Sequence, residues 1–177
     1  MALFTGKGDG GTTKAIDSKD RISKASPLPE ALGTLDELNA FLGFVKMRSA
    51  DNKRIQTLLR ETQEKLFIVQ AELAGSDKRL PEGVVQEVEK IVNTIETEIP
   101  PLKGFSIAGG TELSALLDVA RTMARRAERR AIGIADEGIR ELSSETKAYL
   151  NRLSSLLFAL ARLANHEAGV EEENPAY

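Results

Sequence analysis

The sequence has 177 residues, of which 41% are hydrophobic and 29% charged, so it is long enough and apolar enough to form one globular domain with its own core. Its net charge of −3 argues against nucleic-acid binding as its main role, and the lack of cysteine, with His166 as the single histidine, excludes disulfides and thiolate metal sites and disfavours zinc. No apolar run approaches the roughly 20 residues that span a bilayer and no signal peptide is visible, so we expect a cytoplasmic protein without a membrane partner.

The chain begins with an irregular leader over residues 1–29, in which clustered glycines prevent a helix from persisting. The stretch TGKGDGGTTK, residues 5–14, can turn its backbone N–H groups toward one point and form a nest for phosphate oxygens. It is not a Walker A loop, because Lys7 is followed by Gly8 and no strand precedes it. The alternative interpretation is a flexible terminus without a ligand.

Apolar residues at helical spacing predict the next three helices. They cover residues 30–48, 52–74 and 81–98. Gly75 and Pro100 are the stop signals of the second and third helices. Within the first helix, the stretch GTLDELN places Asp36 beside a core position, where a carboxylate needs a partner such as an arginine. The alternative is an ordinary exposed acid near a helix start.

A glycine-rich break with the sequence FSIAGGT, residues 105–111, separates the third helix from the fourth. Phe105 either caps an apolar pocket or closes the core. Thr111 is the candidate N-cap of the fourth helix, which covers residues 112–135.

The fourth helix contains the arginine-rich stretch RTMARRAERR, residues 121–130. One helical face carries Arg121, Arg125 and Glu128, with Arg129 at its edge. Arg126 and Arg130 point elsewhere. Every basic residue of this stretch is an arginine, which suits forked hydrogen bonds to phosphate or carboxylate oxygens. The alternative is a solvated face with internal ion pairs.

The fifth predicted helix covers residues 144–168 and carries Asn151, whose amide can hydrogen-bond a nucleobase or ribose. The apolar residues around Leu156 and Leu157 on one face of this helix could pack either in the core or at an interface between subunits. We expect no strand, and the short connections favour an all-α antiparallel bundle of four or five helices. The predicted organisation is an N-terminal nucleotide-binding loop over residues 1–29, the bundle over 30–169 and a loose acidic tail over 170–177.

Four segments together resemble the PduO-type ATP:cob(I)alamin adenosyltransferases. In chain order they are GDGGTT, GTLDELN, RTMARRAERR and LNRLS. The resemblance covers nearly the whole chain, and the second and third segments in combination are specific. It implies a homotrimeric helical bundle with active sites between subunits, which transfers the 5′-deoxyadenosyl group of ATP to Co(I) of a reduced corrinoid and releases triphosphate.

The resemblance also implies residue roles. The ATP-binding positions would be Thr5, Gly6, Lys7, Gly8, Asp9, Gly11, Thr13, Lys24, Arg125, Glu128, Arg129 and Asn151. The catalytic positions would be Asp36, Phe105, Arg121 and Arg125. Asp36 would bridge to Arg121 across the subunit boundary, Glu128 would lie at Mg²⁺, and Phe105 would pack under the corrin ring. The loop departs from the family's usual Thr-Lys-Thr-Gly-Asp, since it has Gly6 and Lys7 before Gly8 and Asp9.

The residue chemistry agrees with this interpretation, because cob(I)alamin is itself the nucleophile and the protein need not supply one. Fixed arginines and Mg²⁺ suit the charge that develops on the leaving triphosphate. The resemblance also suggests two protein partners, a corrinoid reductase and an adenosylcobalamin-dependent enzyme. The alternatives are a nonenzymatic corrinoid carrier, an oligomeric helical scaffold without a ligand, and a phosphohydrolase, for which no water-activating base stands out.

Overall fold

A computed structural model describes residues 3–177 as five helices and one short β-ladder. The helices are α1 (Pro27–Arg48), α2 (Lys53–Leu73), α3 (Val84–Glu98), α4 (Glu112–Asp136) and α5 (Ser144–Glu167). The all-α bundle prediction is confirmed. The prediction of no strand was wrong, because β1 (Thr12–Thr13) pairs antiparallel with β2 (Ile22–Ser23). Residues 1 and 2 of the predicted N-terminal loop lie outside the described residues.

The helices pack so that α4 lies between α1 and α5, α2 packs on α1, and α3 packs on α5. The predicted apolar stripes meet in one core, and burying each large aliphatic side chain contributes about 1.5–3 kcal/mol. Leu156 and Leu157 belong to that core within the single chain. None of the helices within residues 3–177 has the length and apolarity to cross a bilayer.

Helix boundaries follow the local signals with two shifts. The Oγ1 atom of Thr111 accepts the N–H of Ser114 at 3.1 Å, which confirms the predicted N-cap of α4. The first helix starts at Pro27 instead of residue 30, since proline at the first helical turn loses no hydrogen bond. The third starts at Val84 instead of residue 81, because Gly83 has φ of 85° and cannot belong to the helix.

The acidic tail was predicted to be loose, and that prediction was wrong. The Glu172 carboxylate accepts hydrogen bonds from Arg162 on α5, with Nε to Oε1 at 2.8 Å. The carbonyl of Glu173 accepts the Ile107 N–H at 2.8 Å, and the Asn174 side chain donates to the loop before α4. The tail is therefore held by a buried arginine, a partner that its own composition does not indicate.

Candidate active site

Two arginines of the arginine-rich stretch hold α4 against α1. Arg126 forms an ion pair with Glu37, and Arg130 lies 3.8 Å from the carboxylate of Glu30. Both acidic partners lie on α1, so these arginines face the neighbouring helix and not the candidate site, as the helical spacing predicts.

The two arginines on the other side, Arg125 and Arg129, are exposed. Neither forms an ion pair or a side-chain hydrogen bond with any residue in the range 3–177. They line a cleft of about 410 Å³ between α4 and α5. The cleft is lined by Arg125, Glu128, Arg129, Ile132, Gly133, Asp136 and Asn151. Two guanidinium groups without protein partners make this cleft suitable for a polyanion.

The carboxylate of Glu128 and the amide of Asn151 meet in this cleft. Asn151 Nδ2 donates to Glu128 Oε1 at 3.0 Å, and Asn151 Oδ1 accepts from Arg152 Nη1 at 2.6 Å. Arg152 Nε in turn donates to Glu89 of α3 at 2.8 Å. Arg152 therefore orients Asn151, a supporting role that the sequence analysis missed because helical spacing does not place it on the site face.

Magnesium would depend on few protein ligands here. Within residues 3–177 there is no cluster of three or more His, Cys, Asp or Glu residues that could hold a metal ion. Mg²⁺ usually keeps several waters and binds one or two carboxylates together with substrate phosphates. Two carboxylates, Glu128 and Asp136, line this cleft together with two arginines that attract phosphate, and they fit that mode of binding.

A second cleft has a volume of about 620 Å³ and shares one lining residue with the first. It is lined by Leu102, Gly104, Phe105, Ser106, Arg121, Arg125, Ser154, Ser155 and Phe158. Phe105 is 78% exposed, so it does not close the core, and with Leu102 and Phe158 it gives this cleft a largely apolar lining. Arg125 lines both clefts, which makes it the residue that joins the polar cleft to the apolar one.

Arg121 is fixed inside the apolar cleft by two contacts. Its Nε donates to Asp118 Oδ1 at 3.0 Å, and its guanidinium carbon lies 5.7 Å from the centre of the Phe158 ring. Asp36 is exposed and has no ion pair or side-chain hydrogen bond among residues 3–177. The single chain therefore does not bring Asp36 to Arg121, and the bridge across a subunit boundary stays a prediction.

The glycine-rich loop is folded by its own backbone. The N–H of Asp9 donates to the Gly6 carbonyl and the N–H of Gly11 to the Gly8 carbonyl, both at 3.1 Å. Gly6 and Gly11 have φ of 68° and 74°, which other residues rarely adopt. Lys24 crosses Gly8 so closely that a Cβ atom there would lie 2.9 Å from Nζ. The Lys7 N–H also donates to the Thr5 hydroxyl at 3.4 Å, so at least three N–H groups are already bonded and phosphate contacts would come from the remaining N–H groups and the side chains.

Arg21 braces this loop, although its place in the sequence indicates no such role. Its guanidinium donates to the carbonyls of Lys7 and Thr12 at 2.5 Å and 2.7 Å and to the Thr12 hydroxyl at 2.8 Å. These contacts span the ladder and are not local in sequence, so no spacing rule would find them.

The base of the loop is attached to the bundle near the ends of α2 and α4. The Ile16 N–H donates to the Ala74 carbonyl at 3.2 Å, and Arg140 Nη2 donates to Asp17 Oδ1 at 3.0 Å. This bond from Arg140 holds the pKa of the Asp17 carboxyl below its usual value. The leader is therefore anchored even though most of its side chains are exposed.

A family model described as cobalamin adenosyltransferase matches residues 3–164, which is most of the chain. The chain belongs to this family. It is 40% identical over 176 residues to the corrinoid adenosyltransferase PduO of Citrobacter freundii, a match that covers 95% of this chain and 51% of that protein. It is 35% identical over 177 residues to the corrinoid adenosyltransferase of Bacillus subtilis strain 168, covering 96% and 90%. The chain thus spans about half the length of the PduO relative and nearly all of the Bacillus one.

Solved structures of the family have the same fold. A variant of the PduO-type ATP:corrinoid adenosyltransferase from Lactobacillus reuteri, complexed with cobalamin and ATP, matches with a TM-score of 0.90 and 30% identity. That match covers 97% of this chain and 95% of the other. A second variant of that enzyme, complexed with ATP, has a TM-score of 0.88 at 30% identity and covers 96% and 98%. The resemblance deduced from the four sequence segments is confirmed.

In this member of the cobalamin adenosyltransferase family, the glycine-rich loop does not bond to the α4 face that carries Arg125, Glu128 and Arg129, here called the arginine face. No hydrogen bond or ion pair within residues 3–177 joins residues 5–13 to Arg125, Glu128 or Arg129. Within one chain, the leader and this part of the α4–α5 surface are therefore not linked by such contacts.

Proposed function

We propose that the chain is an ATP:cob(I)alamin adenosyltransferase. Co(I) of the reduced corrinoid attacks C5′ of ATP, the new bond is Co–C5′, and the C5′–O5′ bond breaks with its electron pair leaving on triphosphate. The observation that carries the proposal is the position of Arg125, which lines both a polar cleft suited to triphosphate and an apolar cleft suited to a corrin ring. The family match and the cobalamin and ATP bound to the Lactobacillus relative support the same pair of substrates.

In the polar cleft, Arg125 and Arg129 bind the phosphate oxygens and stabilise the charge that develops on the leaving group. Preorganised donors of this kind contribute about 10²–10³ in rate each. Asn151, oriented by Arg152, contacts the ribose or the base. Glu128 would hold Mg²⁺, and the ion would supply neutralisation of the triphosphate charge.

In the apolar cleft, Phe105 and Phe158 pack against the corrin and exclude water. An exposed phenylalanine on a loop is costly to leave in water, so a large flat apolar ligand is a suitable partner for Phe105. Exclusion of water and of the lower axial ligand makes Co(II) easier to reduce and protects Co(I) from side reactions.

The glycine-rich loop completes the ATP site from a neighbouring subunit of a homotrimer. The loop positions involved are Thr5, Gly6, Lys7, Gly8, Asp9, Gly11, Thr13 and Lys24. Two observations support assembly: the loop makes no hydrogen bond to the arginine face of its own chain, and Asp36 lacks a partner within residues 3–177. In the trimer, Asp36 pairs with Arg121 of the adjacent subunit. Exposed Phe44, Met47 and Phe67 on α1 and α2 provide apolar surface that association would bury.

The proposed surroundings of the enzyme are the cytoplasm, with a corrinoid reductase as the source of electrons and an adenosylcobalamin-dependent enzyme as the consumer of the product. Co(I) is a strong reductant and must be made where it is used, so a reductase that delivers electrons close to the site is required by the chemistry. Adenosylcobalamin serves radical enzymes, which gives the product a consumer.

The test is an anaerobic reaction of the purified chain with chemically reduced cob(I)alamin, ATP and Mg²⁺. We expect the cob(I)alamin spectrum to be replaced by that of adenosylcobalamin, with one triphosphate released for each molecule formed. Binding of both substrates without conversion would instead identify a corrinoid carrier. Binding of neither would leave only an oligomeric scaffold, and release of phosphate without a cobalt product would indicate a phosphohydrolase.

A further inference from the structure

The C-terminal tail, residues 170–177, lies against the loop that carries Phe105. The carbonyl of Glu173 accepts the Ile107 N–H at 2.8 Å, and Asn174 Nδ2 donates to the Phe105 carbonyl at 2.7 Å. One bond is made by the backbone of Phe105 itself and the other by a residue two positions later. The tail therefore fixes the backbone from which the aromatic ring projects.

The tail is in turn anchored to α5 by a charge pair between buried Arg162 and partly exposed Glu172. Arg162 is 7% exposed, and its Nε and Nη2 atoms both donate to the Glu172 carboxylate, at 2.8 Å to 3.0 Å. Nη2 also donates to the carbonyl of Pro100 at 2.7 Å, where the loop begins. A buried guanidinium with these partners is a strong, directional anchor, because leaving its charge without a partner would be costly.

The far end of the loop is also attached to α5. The side chain of Asn165 accepts the Thr111 N–H at 2.9 Å and donates to the Gly109 carbonyl at 2.9 Å. Residues 101–105 between these ends are exposed and have no helix or strand of their own. Without the tail, Phe105 would lie in an irregular exposed segment that is attached only at its two ends, so its ring would sample many positions.

We propose that the tail is a positioning element for the corrinoid site, in which Glu172 and Asn174 hold Phe105 over the apolar cleft. The proposal rests on the proposed function, because it takes the ligand of Phe105 to be the corrinoid. Glu172, Asn174 and Arg162 touch neither substrate and act through the loop. Their loss raises the KM for the corrinoid and leaves the KM for ATP unchanged, since the polar cleft includes no residue of the loop or tail.

The experiment compares Asn174→Ala and Glu172→Gln with Glu173→Gln in the full chain. The control removes one negative charge from the same segment but leaves intact the carbonyl that bonds Ile107, and the Glu173 side chain makes no hydrogen bond or ion pair within residues 3–177. We expect the KM for cob(I)alamin to rise by about fivefold to tenfold in the two test variants, a change equivalent to one weakened positioning contact. The control should match the wild type.

Hydrogen exchange supplies a readout that is independent of turnover. The Ile107 amide should exchange faster in Asn174→Ala and Glu172→Gln than in the control, while the amides of α4 keep their protection. Asn174 is exposed, so Asn174→Ala tests the proposal even if Glu172→Gln destabilises the buried arginine.

The outcomes separate the two proposals. If the wild type forms no adenosylcobalamin, the proposed function is wrong. If the wild type is active and both variants keep the wild-type KM for the corrinoid, the positioning role is wrong while the function stands. An equal rise in the KM for ATP would also overturn the positioning role, because it would indicate a general structural defect.

Discussion

Arg125 and Arg126 are neighbours in the sequence, and their partners give them different roles. Arg126 is paired with Glu37 on α1, whereas Arg125 lines both clefts and has no ionic partner within residues 3–177. A charged side chain that forms no protein contact contributes little to stability, so its presence in a cleft is better explained by a ligand.

We therefore expect Arg125→Ala to lower kcat by about 10² or more while changing the free energy of unfolding by less than about 0.5 kcal/mol. Steady-state kinetics and chemical denaturation measure the two quantities. The matched control is Arg126→Ala, which should cost about 0.2–1 kcal/mol of stability through the lost surface ion pair and retain its turnover. Near-wild-type rates in Arg125→Ala would refute its assignment to the triphosphate.

For single residues, the sequence predicts the helical face on which a side chain lies better than it predicts whether that side chain is buried. Helical spacing alone separates Arg125 from Arg126, because the fold of α4 is regular. It does not reveal whether Phe105 is buried, since that depends on what packs against an irregular loop. It also does not reveal the partners of Arg21 and Arg162, which lie across a ladder or on the tail and follow no fixed spacing.

At the scale of elements, the attachment of the leader to the helical bundle depends on the hydrogen bond between Arg140 and Asp17. The pKa of the Asp17 carboxyl is lowered from 3.8, first by the hydrogen bond from Arg140. A carboxyl whose pKa is lower in the folded state stabilises that state above the unfolded pKa, and this contribution is lost as pH falls through the folded pKa.

We accordingly expect the leader to stay attached at every pH from 7 down to 3.8 and to loosen only at lower pH, as Asp17 becomes protonated. Hydrogen exchange of the Ile16 amide, which donates to Ala74, reports this attachment. Asp17→Asn should show low protection of this amide at neutral pH, relative to an unfolded peptide at the same pH, and no further loss of protection on acidification. An Ile16 amide that is equally protected in the variant and the wild type would show that another contact holds the leader.

The elements also show why some parts of the fold follow from sequence and others do not. The helices α1 to α5 are long enough for a 3.6-residue period to be unmistakable, and Gly75 and Pro100 stop two of them as expected. The ladder of β1 and β2 has two residues in each strand, too few to show alternation. The tail lacks any period, and its order comes from tertiary contacts with α5 and the Phe105 loop.

At the scale of the whole molecule, the proposed pairing of Asp36 with Arg121 needs a second copy of the chain. Asp36 on α1 is exposed and Arg121 on α4 is only partly buried, which leaves both accessible to a neighbouring subunit. Because Asp118 already holds Arg121 at 3.0 Å, a second carboxylate from another subunit would complete the contacts of the guanidinium.

Asp36→Asn should therefore weaken the proposed trimer or lower its activity, since it removes the charge that we propose pairs with Arg121 across the subunit boundary. Sedimentation at several protein concentrations, together with the turnover assay, measures both effects. Glu37→Gln is the matched control, because it removes the same charge one residue away but affects a pair inside one chain. An unchanged trimer with full activity in Asp36→Asn would exclude the bridge.

The measurement that tests the central claim most directly is a crystal structure of the protein with ATP, Mg²⁺ and cobalamin. The account predicts that the triphosphate lies within hydrogen-bonding distance of Arg125 and of the glycine-rich loop of an adjacent subunit. It also predicts that Phe105 packs against the corrin. ATP bound away from Arg125, with cobalamin outside the apolar cleft, would contradict it.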